Sequence, residues 1–463
     1  MTINPADSEI FGALFGTEEM RRVFSDRERL QSMLDVEAAL ARAQARLGII
    51  PAVAAQAITE AASVDRIKLD ELGTGTQMIG QPVAALVKAL GQAAGSEAAR
   101  YVHWGATTQD IVDTALVLQL RKGLDLVETA VRELSAALSE KAKIHRADLM
   151  AGRTYLQHGL PITFGYKCAV WLAPFLTHLD RLRELKPRVL VVQLAGAVGT
   201  LASLKAEGRA VTVGLAKDLG LAEPEAPWHV NRDGLAEVAC FLGLVSGSAA
   251  KIATDVILLA QTEVAEVSEP HQAGRGGSST MPQKRNPIAS AHILACARGV
   301  HALVPIMLGA LAQDHERATG PWQSEALALP QIFVLTSGAL AHAISLAKGL
   351  VVDPERMRRN LDATGGLIMS EAVMIALAEK IGRSAAHDLV EHACDKAIQS
   401  RRPLADVLLE EPALAAHFDR PALLRLLQPE QYLGEALEIV DRVLARARTI
   451  TVRAPGLSSR PHP

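Results

Sequence analysis

The chain has 463 residues, 49% of them hydrophobic and 21% charged, with 51 acidic against 48 basic side chains and a formal net charge of −3. This length exceeds one simple core and calls for about two to four domains, and the near-balance of charge gives nucleic acid or an anionic membrane no footprint to recognise. Aromatic residues are only 3%, so the interior must be aliphatic.

The amino terminus, MTINPADSEIF, has neither the basic nor the apolar segment of a leader. No uncharged apolar run approaches the ~18 residues of a membrane span; the nearest, Ala302–Ala312, is too short. A cytoplasmic protein is expected. Four scattered cysteines, Cys168, Cys240, Cys296 and Cys394, lack ligand spacing and sit in apolar helical contexts, as buried free thiols do. No clustered His/Asp/Glu set is visible, so neither a metal nor another cofactor is expected.

Ser25-Asp26-Arg27-Glu28 has the form of a capping box. Behind it Met33, Val36, Leu40, Ala43 and Leu47 recur at helical spacing, and Gly48 and Pro51 end the helix. Gly73-Thr74-Gly75-Thr76-Gln77 reads as a loop before a short helix near Val83–Leu90. The island His103-Trp104-Gly105-Ala106-Thr107-Thr108-Gln109-Asp110 precedes a long helix striped by Leu116, Leu120, Leu124, Val127, Val131, Leu134 and Leu138. Thr107 to Asp110 thus fall near a helix N-terminus, where backbone N–H groups favour an anion or simply a cap.

Gly152–Pro161 reads as a second polar insertion between helices and contains Gln157 and His158; Leu172, Phe175, Leu179 and Leu182 follow on a helix expected to kink at Pro174. From Asp233, Leu235, Val238, Leu242, Val245, Ala249, Ile252, Val256 and Leu259 form a seam expected to run for about 35 residues. Several such helices in series predict an elongated bundle. The seam leads to Gly276-Gly277-Ser278-Ser279-Thr280-Met281-Pro282-Gln283-Lys284-Arg285-Asn286-Pro287, a small, polar, basic stretch that its two prolines keep from becoming helix. His315-Glu316-Arg317 and Trp322-Gln323-Ser324-Glu325 interrupt the next helical region. Asp353-Pro354 opens a last helical unit, Gly365-Gly366 breaks it, and no period-two strand is evident.

The stretch from Gly276 resembles the GSSxMPxKxNP motif of the fumarase/aspartase superfamily. Islands 103–110 and 153–158 match that superfamily's other two active-site regions in order and spacing, and FGTEEMRRVFSDRERLQSMLDVEAALARAQARLGIIP resembles the branch holding adenylosuccinate lyase and 3-carboxy-cis,cis-muconate cycloisomerase. The resemblance covers roughly residues 10–450. It implies an all-α, three-domain fold with a central helical bundle. The expected parts are an N-terminal domain 1–109, a bundle domain 110–352 with a mobile loop 268–287, a C-terminal domain 353–452 and a disordered tail 453–463. It further implies a homotetramer whose active sites are shared between subunits.

The same resemblance implies proton transfer beside a carboxylate, with addition or elimination at the neighbouring carbon of a small polycarboxylate. Ser278 would be the base, Lys284 its electrostatic support and His158 the residue at the general-acid position. His103, Thr107, Thr108, Gln157, Ser279, Met281, Asn286, Arg317 and Gln81 would bind substrate. Where an adenylosuccinate lyase carries Arg-Tyr and His-Asp pairs, this chain has Leu14-Phe15-Gly16 and Gln81-Pro82, which argues against a nucleotide. LQHGLPITFG, PWHVNRDGLAE, HERATGPW and LVVDPERMRRNLDATGGLIMSEAV are closer to the cycloisomerase. A C–N lyase or epimerase of an aspartate-derived iminodicarboxylate is the alternative. A non-catalytic structural homologue has no reason to keep Ser278, Lys284, Asn286, Thr107 and His158 together.

Overall fold

The computed structural model describes residues 4–270, 281, 283–317 and 319–452. It is 71% helical, in keeping with the all-α expectation. Ser25 caps the helix Asp26–Arg46 by accepting from the Glu28 N–H (3.3 Å), and Gly48 turns the chain beyond it at φ 71°. Met33, Val36, Leu40 and Ala43 are each 1% exposed. The stripe on the helix Thr108–Ile144 and the seam on Asp233–Leu259 are likewise buried, Leu116 alone being half-exposed. Asp353 caps Pro354–Asp362 through the Arg356 N–H (2.8 Å), and Gly365 and Gly366 break the chain with φ 59° and 90°.

Several expectations are corrected. Gly73–Gln77 belongs to the helix Leu69–Ile79, whose C-terminus is set by Gly80 at φ 82°. Trp322–Glu325 lies in the first turn and a half of the helix Pro321–Gly349 rather than interrupting it; Pro321 at its start supplies a fixed φ where no N–H is needed. The helix from Asp233 has 27 residues, not 35.

Strands are also present. β1, Leu149–Thr154, pairs antiparallel with β2, Gln157–Thr163, and Val267–Ser268 pairs with Val351–Val352. The hairpin escapes a sequence reading because its turn residues are Tyr155 and Leu156, at φ 47° and 64°. Turns of that kind normally advertise themselves with Asn-Gly or Asp-Gly, and an irregularity between Ala151 and Arg153 breaks the alternation.

By length and composition, Asp233–Leu259, Ile288–Gly309 and Pro321–Gly349 are apolar enough to cross a membrane. The expectation that no long uncharged run exists is thereby corrected: Asp255 and Arg298 interrupt the first two, but residues 326–347 of the third carry no charged side chain, their apolar character being broken only by polar groups such as Gln331, Thr336 and Ser337. Cys168 and Cys296 are buried and Cys240 and Cys394 half-buried, all as free thiols; burial pushes the Cys296 thiol up to about 12.

The chain forms two compact units. One draws on residues up to Val131, then His178–Ala250 and His292–Ala341; the other on Arg132–Thr177, Lys251–Ala291 and residues from His342 onward. The core of the first gathers Leu34, Ile58, Leu86, Leu90 and Ile111, with a second cluster around Leu40, Val192, Val211 and Leu215. In the second, Val373, Leu377, Ala393 and Leu404 form one cluster, and Ala151, Leu361 and Met369 seat β1.

Candidate active site

In the first unit the site grows from the start of the helix Thr108–Ile144. The Asp110 carboxylate, fully buried, accepts from the Thr107 N–H (2.9 Å), the Ala195 N–H (2.9 Å) and the Gly196 N–H (3.0 Å), and His229 Nε2 lies 2.8 Å from it. A carboxylate is favoured in a first helical turn, so Asp110 both caps the helix and ties three segments together. The Thr107 N–H is therefore engaged within the protein rather than open to an anion, and the half-buried Thr107 and Thr108 side chains are what this turn offers a ligand.

Gln109 Nε2 donates to the His229 carbonyl (2.9 Å), and its own Oε1 accepts from Arg317 Nε (3.1 Å), while Arg317 Nη2 donates to Ala197 O (3.1 Å). Arg317 is thus brought to island 103–110 from about two hundred residues away in sequence. Gln81 sits half-buried at the break between Leu69–Ile79 and Val83–Ala94.

His103 stands at φ 61°, a left-handed conformation that costs energy outside glycine. Two buried residues two turns apart on Asp26–Arg46 hold it: Glu37 Oε1 lies 2.7 Å from His103 Nδ1, and Gln44 Nε2 donates to the Trp104 carbonyl (2.6 Å). Deeper in the unit Arg232, 1% exposed at its side chain, donates from Nη1 to Asp113 (2.7 Å) and from Nε to Glu325 (2.8 Å) and packs 5.1 Å from the Trp228 ring. Burial raises the Glu325 pKa against the opposing pull of Arg232.

In the second unit the hairpin presents the other group. Arg153 and His158 are register partners, and Gln157, exposed, opens β2. Arg153 grips the fully buried Glu266 with two parallel bonds (3.0 and 2.6 Å), and Asn360 Nδ2 donates to the same carboxylate (2.8 Å). Desolvation lowers the His158 pKa below 6.5 and the Arg153 charge adds to that, Glu266 opposing. Its Nδ1 is buried without a hydrogen-bond partner among the described residues. Strain at Tyr155 and Leu156 sits beside this ring.

Ser278 and Ser279 lie outside the described residues. The stretch that follows them is closed at its base: Glu269 accepts from the Ala289 N–H (2.9 Å), the Ser290 N–H (2.8 Å) and the Ser290 hydroxyl (2.7 Å), capping the helix Ile288–Gly309. Met281 and Lys284 are exposed and Asn286 half-buried just ahead of that helix.

The sequence reading assigned no role to Glu37, Arg153, His229, Arg232 or Glu266. A signal existed for two of them. Glu37 is a carboxylate beside Val36 in an otherwise apolar stripe, and Arg232 follows a Trp-His pair in PWHVNRDGLAE. Partners 66 to 119 residues apart in sequence but adjacent in space leave no such mark.

The chain matches a family model described as lyase over residues 15–301 and one described as adenylosuccinate lyase C-terminus over residues 366–443. It is 49% identical over 459 residues, 98% of both chains, to a 3-carboxy-cis,cis-muconate cycloisomerase of Pseudomonas aeruginosa. It is 46% identical to trans-aconitate decarboxylase 1 of Mycosarcoma maydis, covering 94% of this chain and 88% of that protein. The crystal structure of the 3-carboxy-cis,cis-muconate lactonizing enzyme from Pseudomonas putida superposes with a TM-score of 0.90 at 45% identity, covering 96% of this chain and all of that one. The chain belongs to the fumarase/aspartase superfamily of lyases, in the branch that holds the cycloisomerases and adenylosuccinate lyase.

Proposed function

We propose that the chain is a 3-carboxy-cis,cis-muconate cycloisomerase, closing a lactone by adding one carboxylate of the substrate across a neighbouring double bond, in the breakdown of aromatic compounds. The near-complete overlap with proteins of that name carries the reading. In the lactonising direction the attacking carboxylate leaves an electron-rich carbon beside a second carboxylate. That carbon takes a proton from Ser278, and in the reverse direction Ser278 takes it back. The aci-carboxylate between them needs cationic and amide donors, for which Lys284, Asn286 and the glycine-rich backbone are suited. Thr107, Thr108, Gln157, Ser279, Met281, Arg317 and Gln81 would contact the remaining carboxylates.

His158 is compatible with C–O or C–N chemistry: a carboxylate leaving group needs little protonation, whereas an amine needs an acid, and burial and then the Arg153 charge lower the pKa of this imidazole.

The working form is read as a homotetramer in the cytoplasm, three-domain in each subunit with breaks at 109/110 and 352/353. Exposed apolar side chains on the seam helices, Leu244 at 50%, Leu308 at 46% and Leu327 at 66%, support association.

A substrate panel tests the proposal. 3-carboxy-cis,cis-muconate should lose its diene absorbance on adding the protein, while adenylosuccinate stays intact. Carbon dioxide release from trans-aconitate with no change in the muconate would transfer the reading to a decarboxylase.

A further inference from the structure

Glu37 poses a problem that the reaction above does not use. It lies 2% exposed on a helix packed among alanines and leucines, and one of its oxygens, Oε2, has no hydrogen-bond partner. Burying a carboxylate is costly unless it is paired. Its other oxygen meets His103 Nδ1 at 2.7 Å. Gln44, fully buried two turns further on, holds the next carbonyl, so this helix clamps a left-handed histidine at two points. No partner for His103 Nε2 stands among the described residues, and a fifth of the side chain is open to solvent.

We propose that Glu37 is a positioning residue that holds His103 as an imidazolium with Nδ1–H tied to its carboxylate and Nε2–H presented to a carboxylate of the substrate. The inference rests on the reading of the chain as an enzyme of polycarboxylates. The charges facing the ring are Glu37 and Asp110. Burial acts to lower the ring's pKa, but the bond and charge of Glu37, with Asp110 adding, outweigh it and hold it above 6.5. Asp110 is itself engaged by three backbone N–H groups and His229, which leaves Glu37 as the direct partner. A charge-assisted contact is roughly twice as strong as a neutral one, which is what an anionic ligand requires here.

Glu37→Gln keeps the volume and removes the charge. Its KM for 3-carboxy-cis,cis-muconate should rise about ten-fold with kcat within about two-fold, the signature of lost uniform binding. The pH at which KM begins to climb should also move to lower values, because the ring then gives up its proton more readily. In a His103→Gln background the same substitution should change nothing further. An unmoved pH step, or a full additional loss in that background, would make the pair a structural contact only. Should the protein not turn over the muconate at all, the reaction reading fails but the pair is still judged. The His103 ring resonance, assigned by its loss in His103→Gln, should titrate above 6.5 in the parent and lower in Glu37→Gln, and equal titration in both would overturn the proposal.

Discussion

Arg153 and His158 are register partners across the two-stranded hairpin, and the arginine's guanidinium is turned onto a carboxylate, Glu266, that has no solvent exposure. The cation beside the imidazole is therefore fixed rather than mobile. The arrangement separates two functions: Glu266 and Asn360 hold Arg153, and Arg153 holds the electrostatic environment of His158.

Arg153→Met leaves Glu266 buried with Asn360 as its remaining side-chain donor among the described residues. Breaking a buried pair on one side costs about 3 kcal/mol or more, so denaturant unfolding should show a loss of that size. Glu266→Gln together with Arg153→Met should recover part of it. No recovery would mean that packing, not charge, dominates the position.

Burial and then the Arg153 charge lower the His158 pKa from the ordinary imidazole value of 6.5. The acidic limb of kcat/KM assigned to this ring should lie below pH 6.5, since protonation removes the working form only there. Arg153→Gln should move the limb upward, with Glu266 now uncontested. A limb that stays in place would detach Arg153 from His158.

His178 gives a stability prediction with a defined sign. It is 2% exposed; Arg181 donates to its Nδ1 (3.1 Å) and Ser248 lies 2.9 Å from its Nε2, so the ring must be neutral, and burial with Arg181 lowers its pKa to about 4. The unfolded chain takes up this proton first as pH falls. The contribution is complete above about pH 6.5 and declines at about 1.4 kcal/mol per pH unit toward pH 4. His178→Gln should flatten that part of the Tm–pH curve.

Ser278→Ala should reduce kcat by about three orders of magnitude without changing the unfolding midpoint, and a chelator should leave the activity of the parent intact. An active alanine variant would remove Ser278 as the proton-transfer group. Activity lost to chelation and restored by a metal would require a different chemistry.

Glu269→Gln weakens the three bonds at the base of the loop. By analogy with cap removal, stability should drop by about 1 kcal/mol, and kcat should fall more than KM rises, because the loop's geometry matters most at the transition state. Equal changes in both parameters would speak against a role in loop placement.

Much of the fold was legible because it follows from periodicity. The stripes of Leu120 to Leu138 and Leu235 to Leu259 are buried as their spacing demands, and the caps at Ser25 and Asp353 lie where their side chains can reach a free N–H. The hairpin was not, because Tyr155 and Leu156 adopt a conformation their identities disfavour. Of the three islands of residue types the sequence offers, 103–110 and 153–158 carry the ties described above, and much of 276–287 lies outside the described residues. The ties were not legible, because His229 on Asp110 and Glu325 on Arg232 are contacts between segments 119 and 93 residues apart. Glu37 shows the limit well: its carboxylate within an apolar stripe is visible as an anomaly, and its explanation is not.

The division of the chain into interleaved segments bears on how it must be made. Each compact unit is assembled from three separated stretches, and five long helices begin in one unit and finish in the other. During synthesis the first unit lacks a piece until residue 341 has emerged. Until then the seams of Thr108–Ile144 and Asp233–Leu259 stand open on the nascent chain, a state prone to aggregation. Slow elongation across residues 260–340 or shelter by a chaperone should raise the yield of native protein, and truncation at either unit boundary should yield insoluble fragments rather than an isolated domain.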